Sequence, residues 1–335
     1  MKREEILSRL GYHVPENKKV RVIVSSDVKN EADDQFAIIH HLLTPSFDVR
    51  GIIAAHFEGR YIQGKKENEK LPPEEREARN SSDFMKGEGT SMEQSFSELR
   101  KLMDICGIDD VPMLKGCTMP LKDTGDMPDS EGVDFLIREA LQDDDRPLYV
   151  LLQGCLTDLA SALNKRPEIG ERLTAVWIGG GAYPDGGIEF NLMQDLEAAR
   201  AVFASNAEVW QIPANVYNEV EISFADLALK VRPCGECGNY LFEQLLEMNE
   251  VLSQFDGIGR NGENWCLGDQ PTVGVLLQNR DRRNYHMQKA PFIGDDFKYR
   301  PNPEGKEIRV YDSIDARLLL DDFYAKLRLC FGVSE

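Results

Sequence analysis

Short apolar runs rich in β-branched residues recur along this chain, each bounded by polar turns: Val20–Ser26, Val49–Ala55, Leu148–Gln153, Ala175–Ile178 and Val209–Ile212. Runs of this length predict strands buried on both faces, as in a parallel sheet. Between them the apolar positions take up helical spacing. Phe36–Leu43 follows the first run. Phe96, Leu99, Met103 and Cys106 recur three or four residues apart, and Val133–Leu141, Leu156–Lys165 and Asp195–Ser205 complete the set. Thr90-Ser91-Met92-Glu93 and Ser91-Met92-Glu93-Gln94 both fit a capping box ahead of the Phe96 helix, and Gly107 is placed to end it. The alternation predicts right-handed βαβ units and an α/β fold: an open, mostly parallel sheet flanked by helices. With no internal repeat and no linker, residues 1–335 read as a single domain.

One stretch breaks the rhythm. Phe57 to Gly89 is polar and charged, with Lys65-Lys66-Glu67-Asn68-Glu69-Lys70 and Pro72-Pro73-Glu74-Glu75-Arg76-Glu77. Connections this long are usually covers over a site or are disordered, and a short solvated helix within it is compatible with its composition. It leaves the second predicted strand at the carboxyl end, which makes 57–89 a lid insertion over that edge of the sheet.

Bulk properties narrow the partners. The chain has 335 residues, 41% hydrophobic and 29% charged, with a formal charge of -19. That field excludes a nucleic-acid backbone as ligand, since no basic stretch offsets it. No apolar run approaches a membrane span, and Met1-Lys2-Arg3-Glu4-Glu5-Ile6-Leu7 has no signal core. Seven scattered cysteines, without framework spacing, point to a reducing cytoplasm. Cys234-Gly235-Glu236-Cys237 is a lone CxxC, and no nearby Cys or His pair completes a zinc site.

The candidate chemistry lies where the first strand hands over to the first helix. Val22-Ile23-Val24-Ser25-Ser26 runs into Asp27-Val28-Lys29-Asn30-Glu31-Ala32-Asp33-Asp34. This puts four acids at the carboxyl edge of a parallel sheet, where ligands bind. Crowded carboxylates repel unless a cation or proton intervenes, and oxygen-only donors suit Ca²⁺ or Mg²⁺. A plain first-turn role beside the helix dipole is the competing reading. Gly179-Gly180-Gly181 closes the fourth strand and permits close approach of a ligand or of another chain segment. On an extended segment, Glu189 and Asn191 point the same way and can hold vicinal sugar hydroxyls. Asp269 is a lone acid in the apolar Trp265–Val273 stretch, and such a carboxylate is paired, metal-bound or an N-cap.

Taken together these segments resemble the nucleoside hydrolases, the inosine–uridine-preferring type of N-ribohydrolase. That family's Asp-x-Asp-x-x-x-Asp-Asp turn looks like Ser25-Ser26-Asp27 followed, after a turn two residues longer, by Asp33-Asp34. Its Gly-Pro-Leu-Thr-Asn-Leu-Ala looks like Gly154-Cys155-Leu156-Thr157-Asp158-Leu159-Ala160. Its Glu-Phe-Asn-x-x-x-Asp looks like Glu189-Phe190-Asn191 through Asp195, and its late His-Asp-Pro looks like Gly268-Asp269-Gln270-Pro271. The Asn30-Glu31-x-Asp-Asp-Gln form also resembles a bacterial nucleoside hydrolase-like branch. The resemblance implies Ca²⁺ held by Asp27, Asp34, Asp269 and the backbone carbonyl of Gln153. It also implies Asp27 as the base that takes the water's proton, and Asp33, Glu189 and Asn191 on the ribose. It implies a ribosyl small-molecule substrate and a homo-oligomer.

The sequence departs from the family at Ser25, where a carboxylate is expected, and at Gly268, where a histidine is expected. None of His13, His40, His41, His56 or His286 replaces that histidine by position; Arg60, Tyr61 or a residue further along the lid is the candidate stand-in. The leading reading is a Ca²⁺-dependent hydrolase of an N-glycosidic bond. A non-catalytic or weakly catalytic Ca²⁺-dependent sugar binder is the alternative. A Mg²⁺ phosphohydrolase ranks below both, because Lys29 is the only cation near the turn.

Overall fold

A computed structural model of the chain describes residues 1–80, 87–253, 262–278 and 284–332, with the backbone alone for 78–80. Its strands, in chain order, are β1 (Val20–Ser26), β2 (Phe47–Ala54), β3 (Met113–Lys115), β4 (Leu148–Gln153), β5 (Thr174–Ile178), β6 (Glu208–Ile212), β7 (Glu221–Ser223), β8 (Asn264–Cys266), β9 (Tyr285–Lys289), β10 (Phe292–Ile293), β11 (Tyr299–Arg300) and β12 (Glu307–Tyr311). Eight of them form one sheet in the order β3-β2-β1-β4-β5-β6-β12-β9. Every pairing in it is parallel except the antiparallel edge pair β12–β9. The predicted α/β sheet is therefore present, and β3, β9 and β12 extend it.

Residues alternate across the sheet. Val22 and Val24 of β1 pack into one apolar cluster with the helices Asp34–Leu42, Ser91–Cys106 and Ala316–Phe331. Ile23 faces the other cluster, with the helices Glu131–Ala140, Thr157–Lys165 and Leu196–Ala204. Burial on both faces is why these strands read as continuous apolar runs.

The strand order fixes where a ligand goes. The chain proceeds β1, β2, β3 to one side, then returns to lay β4 against the other side of β1. The carboxyl ends of β1 and β4 thus flank the topological switch point, the usual crevice for ligands in open α/β sheets. Ser26 and Gln153 are partners in register there.

The Phe57–Gly89 stretch differs from its composition. It begins as the helix Glu58–Asn68, continues as Pro73–Asn80, and residues 81–86 lie outside the described set. Phe57, Glu58, Gly59 and Tyr61 are buried. A Cβ at Gly59 would run into the backbone of Met193 and Gln194, so only glycine lets this helix sit against the Phe190–Gln194 helix. The capping boxes are not used either. Thr90 makes no side-chain cap. Instead the Glu58 carboxylate accepts from Gly89 N (2.9 Å) and Ser91 N (2.9 Å), and from the Ser91 hydroxyl. A carboxylate from a distant part of the chain thus satisfies Ser91 N, the first free donor of the helix. Gly107 ends the Ser91–Cys106 helix in the left-handed region, as expected.

Candidate metal and ligand site

The acid turn is clamped from several directions. Gln35 Nε2 donates to Val28 O (2.8 Å), and Gln244 Nε2 donates to Ala32 O (2.7 Å). Glu98 is buried beneath the turn, accepts from Gln35 Nε2 and Tyr240 OH, and pairs with Lys29 at 3.4 Å. Lys29 is thereby engaged away from the pocket. Asp33 stands at the N-cap of the Asp34–Leu42 helix without a side-chain cap bond, so the first-turn reading does not account for it.

Carboxylate oxygens of Asp33, Asp34 and Asp269 all lie within 4.8 Å of one another. Oxygens sharing one Ca²⁺ at about 2.3–2.6 Å fall within roughly 5 Å of each other, so this spacing fits a single hard ion. Asp34 accepts from the Ser26 hydroxyl, and burial pushes its carboxyl up to about 7 against that bond. Burial, then the charge of Asp34, holds Asp27 and Asp269 well above the ordinary carboxylate range. Asp27 lines the same cavity, and its Oδ2 is buried with no hydrogen-bond partner. Gln153 also reaches it. Its Nε2 donates to Asp269 O (3.2 Å) and Thr272 Oγ1 (3.1 Å), which leaves Oε1 buried and unpartnered. Among the described residues lining the cavity there is no lysine, arginine or histidine. Orphaned oxygens and mutually repelling acids fit a divalent cation. Gln153 offers its side-chain amide as well as the backbone carbonyl that the resemblance implies.

Glu189 and Asn191 face this cluster from β5's end. Glu189 is extended, but it is the N-cap of the Phe190–Gln194 helix, so the pair do not share one extended segment as expected. The Glu189 carboxylate accepts from Gly180 N (2.6 Å), Leu192 N (2.9 Å), Asn191 N (3.0 Å) and Tyr217 OH (2.7 Å). Burial raises its pKa against those bonds. The glycine run therefore serves another chain segment, through Gly180. Asn191 is anchored by Nδ2 to Ile178 O at 3.0 Å. The cavity between the two halves is about 70 Å³.

Other motif residues are structural. Thr157 donates to Asp195 Oδ2 (2.6 Å), Asp195 Oδ1 caps Ala198 N (2.9 Å), and His56 Nε2 meets Thr157 Oγ1 (2.8 Å). Burial drives His56 down to about 3, so it stays neutral in this network. Asp158 holds Cys117 N and the Ser130 hydroxyl. Tyr61 is fully buried, whereas Arg60 lies over the Phe57 and Tyr61 rings and reaches Asn30 Oδ1 at 3.3 Å. Tyr217 is the site residue that sequence reasoning missed. Its only signal is its place just after β6, at the ligand-binding edge.

Comparison with known proteins bears on the family and the fold. A family model described as inosine-uridine preferring nucleoside hydrolase matches residues 87–316. The putative pyrimidine-specific ribonucleoside hydrolase RihB of Shigella boydii is 26% identical over 152 residues, 44% of this chain and 61% of that protein. The pyrimidine-specific ribonucleoside hydrolase RihA of Salmonella paratyphi A is 30% identical over 147 residues, 43% of this chain and 46% of the relative. The chain thus spans about half the length of the curated relatives it matches. The structure of a purine-preferring ribonucleoside hydrolase from Gardnerella vaginalis superposes with a TM-score of 0.66 at 17% identity, covering 94% of this chain and 100% of that one. At that identity the likeness shows the fold.

Proposed function

Because the chain belongs to the inosine-uridine preferring nucleoside hydrolase family, matched over residues 87–316 of 335, we propose that it hydrolyses the N-glycosidic bond of a ribonucleoside or related ribosyl compound, with Ca²⁺ as cofactor. The observation that carries this reading is the cluster of Asp27, Asp33, Asp34 and Asp269 at the switch point, with the buried Asp27 Oδ2 unpartnered. Asp34 and Asp269 would hold the ion, with Asp27 and Gln153 from the same cavity wall; Asp27 stands outside the 4.8 Å group, and Asp33, which completes that group, is a further oxygen within the ion's reach. Bound there, the ion supplies acidification and orientation of the attacking water. Asp27 takes the water's proton at Oδ2. Asp33, Glu189 and Asn191 hold the sugar, and Asn191 contributes its amide oxygen because its Nδ2 is committed to Ile178 O. As the bond to the base breaks, positive charge grows on the ring and the surrounding carboxylates stabilise it; the base leaves with the bonding electron pair and takes a proton from water, and Asp27 returns the one it received to solvent.

Gly268 favours a second reading. No side chain there can serve the leaving base, which suits a Ca²⁺-dependent sugar binder with little or no catalysis. Reducing-sugar release from a panel of ribonucleosides separates the two. The proposal expects release that stops with a chelator and returns with added Ca²⁺. Ribose binding without release from any nucleoside would establish the binder instead.

The same proposal includes a single domain in which the Phe57–Gly89 segment covers the site. Arg60 at Asn30 supports it. Glu58→Ala removes the acceptor for Gly89 N and Ser91 N, and is expected to cost about 1–3 kcal/mol by leaving the buried Ser91 N unmet. Protease cutting within 57–89 is expected to rise in that variant and to fall in the unaltered protein when ribose and Ca²⁺ are present. Unchanged denaturant midpoint and cutting would refute the anchoring. All seven cysteines are free thiols, which suits the cytoplasmic location proposed with this function, as homo-oligomerisation is by family resemblance.

A further inference from the structure

Glu189 has only one acceptor position that a ligand can claim. A carboxylate offers about four lone-pair sites. Here Oε2 takes Gly180 N and Leu192 N, and Oε1 takes Asn191 N and Tyr217 OH. Three of these donors are backbone groups built into the strand-to-helix turn, and cannot leave without unfolding it. The fourth is a phenol on a side chain at the cavity wall. A sugar hydroxyl that reaches Glu189 must therefore displace Tyr217 from Oε1.

A Cβ at Gly268 would lie 3.1 Å from Tyr217 Cδ2 and 3.5 Å from Asp33 Oδ2. The missing side chain at 268 is thus the space that the Tyr217 ring borders, between Glu189 and the acid cluster. Tyr217 sits at the edge of the larger apolar cluster, half-buried at the end of the four-residue Ala214–Tyr217 helix, where a swing of its ring gives up contacts on one side only.

Resting on the ribosyl reading above, we infer that Tyr217 is a tethered stand-in for a substrate hydroxyl: it occupies the one exchangeable acceptor of Glu189 and swings away when a sugar claims it. Tyr217 therefore sets specificity. A ligand with a hydroxyl in reach of Oε1 exchanges one hydrogen bond for another, and a ligand without it leaves Glu189 or the phenol unsatisfied. Tyr217 positions the substrate by yielding and takes no part in bond breaking.

The test is calorimetric binding of D-ribose in the presence of CaCl₂, with the unaltered protein and Tyr217→Phe. The phenylalanine ring keeps the packing and removes the competing hydroxyl. Ribose is expected to bind the variant about tenfold more tightly, the worth of a hydrogen bond to a charged acceptor gained without breaking another. A second measurement uses ¹³Cζ-labelled tyrosine. The resonance missing in Tyr217→Phe identifies Tyr217, and it is expected to shift as ribose is added. Equal or weaker ribose binding by the variant, or an unmoved Tyr217 resonance at saturation, would overturn the inference and leave the ribosyl reading standing. Failure of both proteins to bind ribose, together with no release from any nucleoside, would remove that reading and this inference with it.

Discussion

Asp27→Ala is expected to abolish tight Ca²⁺ binding and to lower N-glycosidic hydrolysis by about 10³-fold or more, the range for losing a positioned base within an electrostatic site. The same substitution is expected to make the metal-free protein harder to unfold. Asp27 is 2% exposed, and the neighbouring charges of Asp34, Asp33 and Glu31 all act against its ionised form. Its Oδ2 has no hydrogen bond to lose. Deleting it therefore relieves repulsion at little structural cost, the usual bargain where a fold stores destabilising charge for function. Asp129→Ala is a fair control, because that exposed acid pairs with Lys165 at the surface and should leave binding and catalysis alone. Isothermal titration with Ca²⁺, thermal melts in chelator and sugar-release rates read the three effects separately. Retained Ca²⁺ affinity in Asp27→Ala would contradict the ligand role. Lost affinity with a lowered melting temperature would mean that Asp27 holds the fold together.

What the sequence discloses here depends on whether a residue's role is local. Val20–Ser26 and Leu148–Gln153 were legible to the residue because both faces are buried and turns bound them sharply. Met113–Lys115 escapes such reading: it is three residues long and half-buried throughout. Glu307–Tyr311 escapes it because its sheet partners, Glu208–Ile212 and Tyr285–Lys289, come from distinct parts of the chain. The acid turn announces itself, since so many carboxylates at a strand end are costly without a purpose. The Thr90 and Ser91 capping boxes mislead for the converse reason: Glu58, more than thirty residues away, supplies the cap. Glu189 and Asn191 were found by type but given the wrong backbone, as nothing local shows that Glu189 turns back onto Gly180 N. Tyr217 carries no motif at all, and only the meeting of β5, β6 and the Gly268 turn puts its hydroxyl on Glu189.

Calcium affinity is expected to climb steeply with pH, by about tenfold per pH unit for each proton that the ion displaces, up to at least pH 7. Asp34 is pushed up to about 7 by burial, and Asp27 and Asp269 are likewise held well above the ordinary carboxylate range by burial and by their neighbours. Below that range the empty site holds protons that a cation must expel. The stability of the metal-free protein follows with a definite sign. A carboxyl whose pKa is raised on folding binds more protons in the native state, so its contribution is most favourable near pH 4 and is lost as pH rises through 7. For Asp34 alone that loss is of order 4 kcal/mol. The buried His41 and His56, held down to about 3, work in the opposite direction between pH 3 and about 6.5, because they charge only on unfolding. Neither lines the acid cavity, so their effect is common to the loaded and empty protein and cancels in the difference. The quantity to measure is therefore the gap between melting temperatures in Ca²⁺ and in chelator at pH 5, 6, 7 and 8. It is expected to widen at each step to pH 7, alongside proton release on Ca²⁺ addition at pH 6. A gap that is flat across this range, with no proton release, would show that the cluster ionises freely without the ion and would overturn the proton–calcium competition.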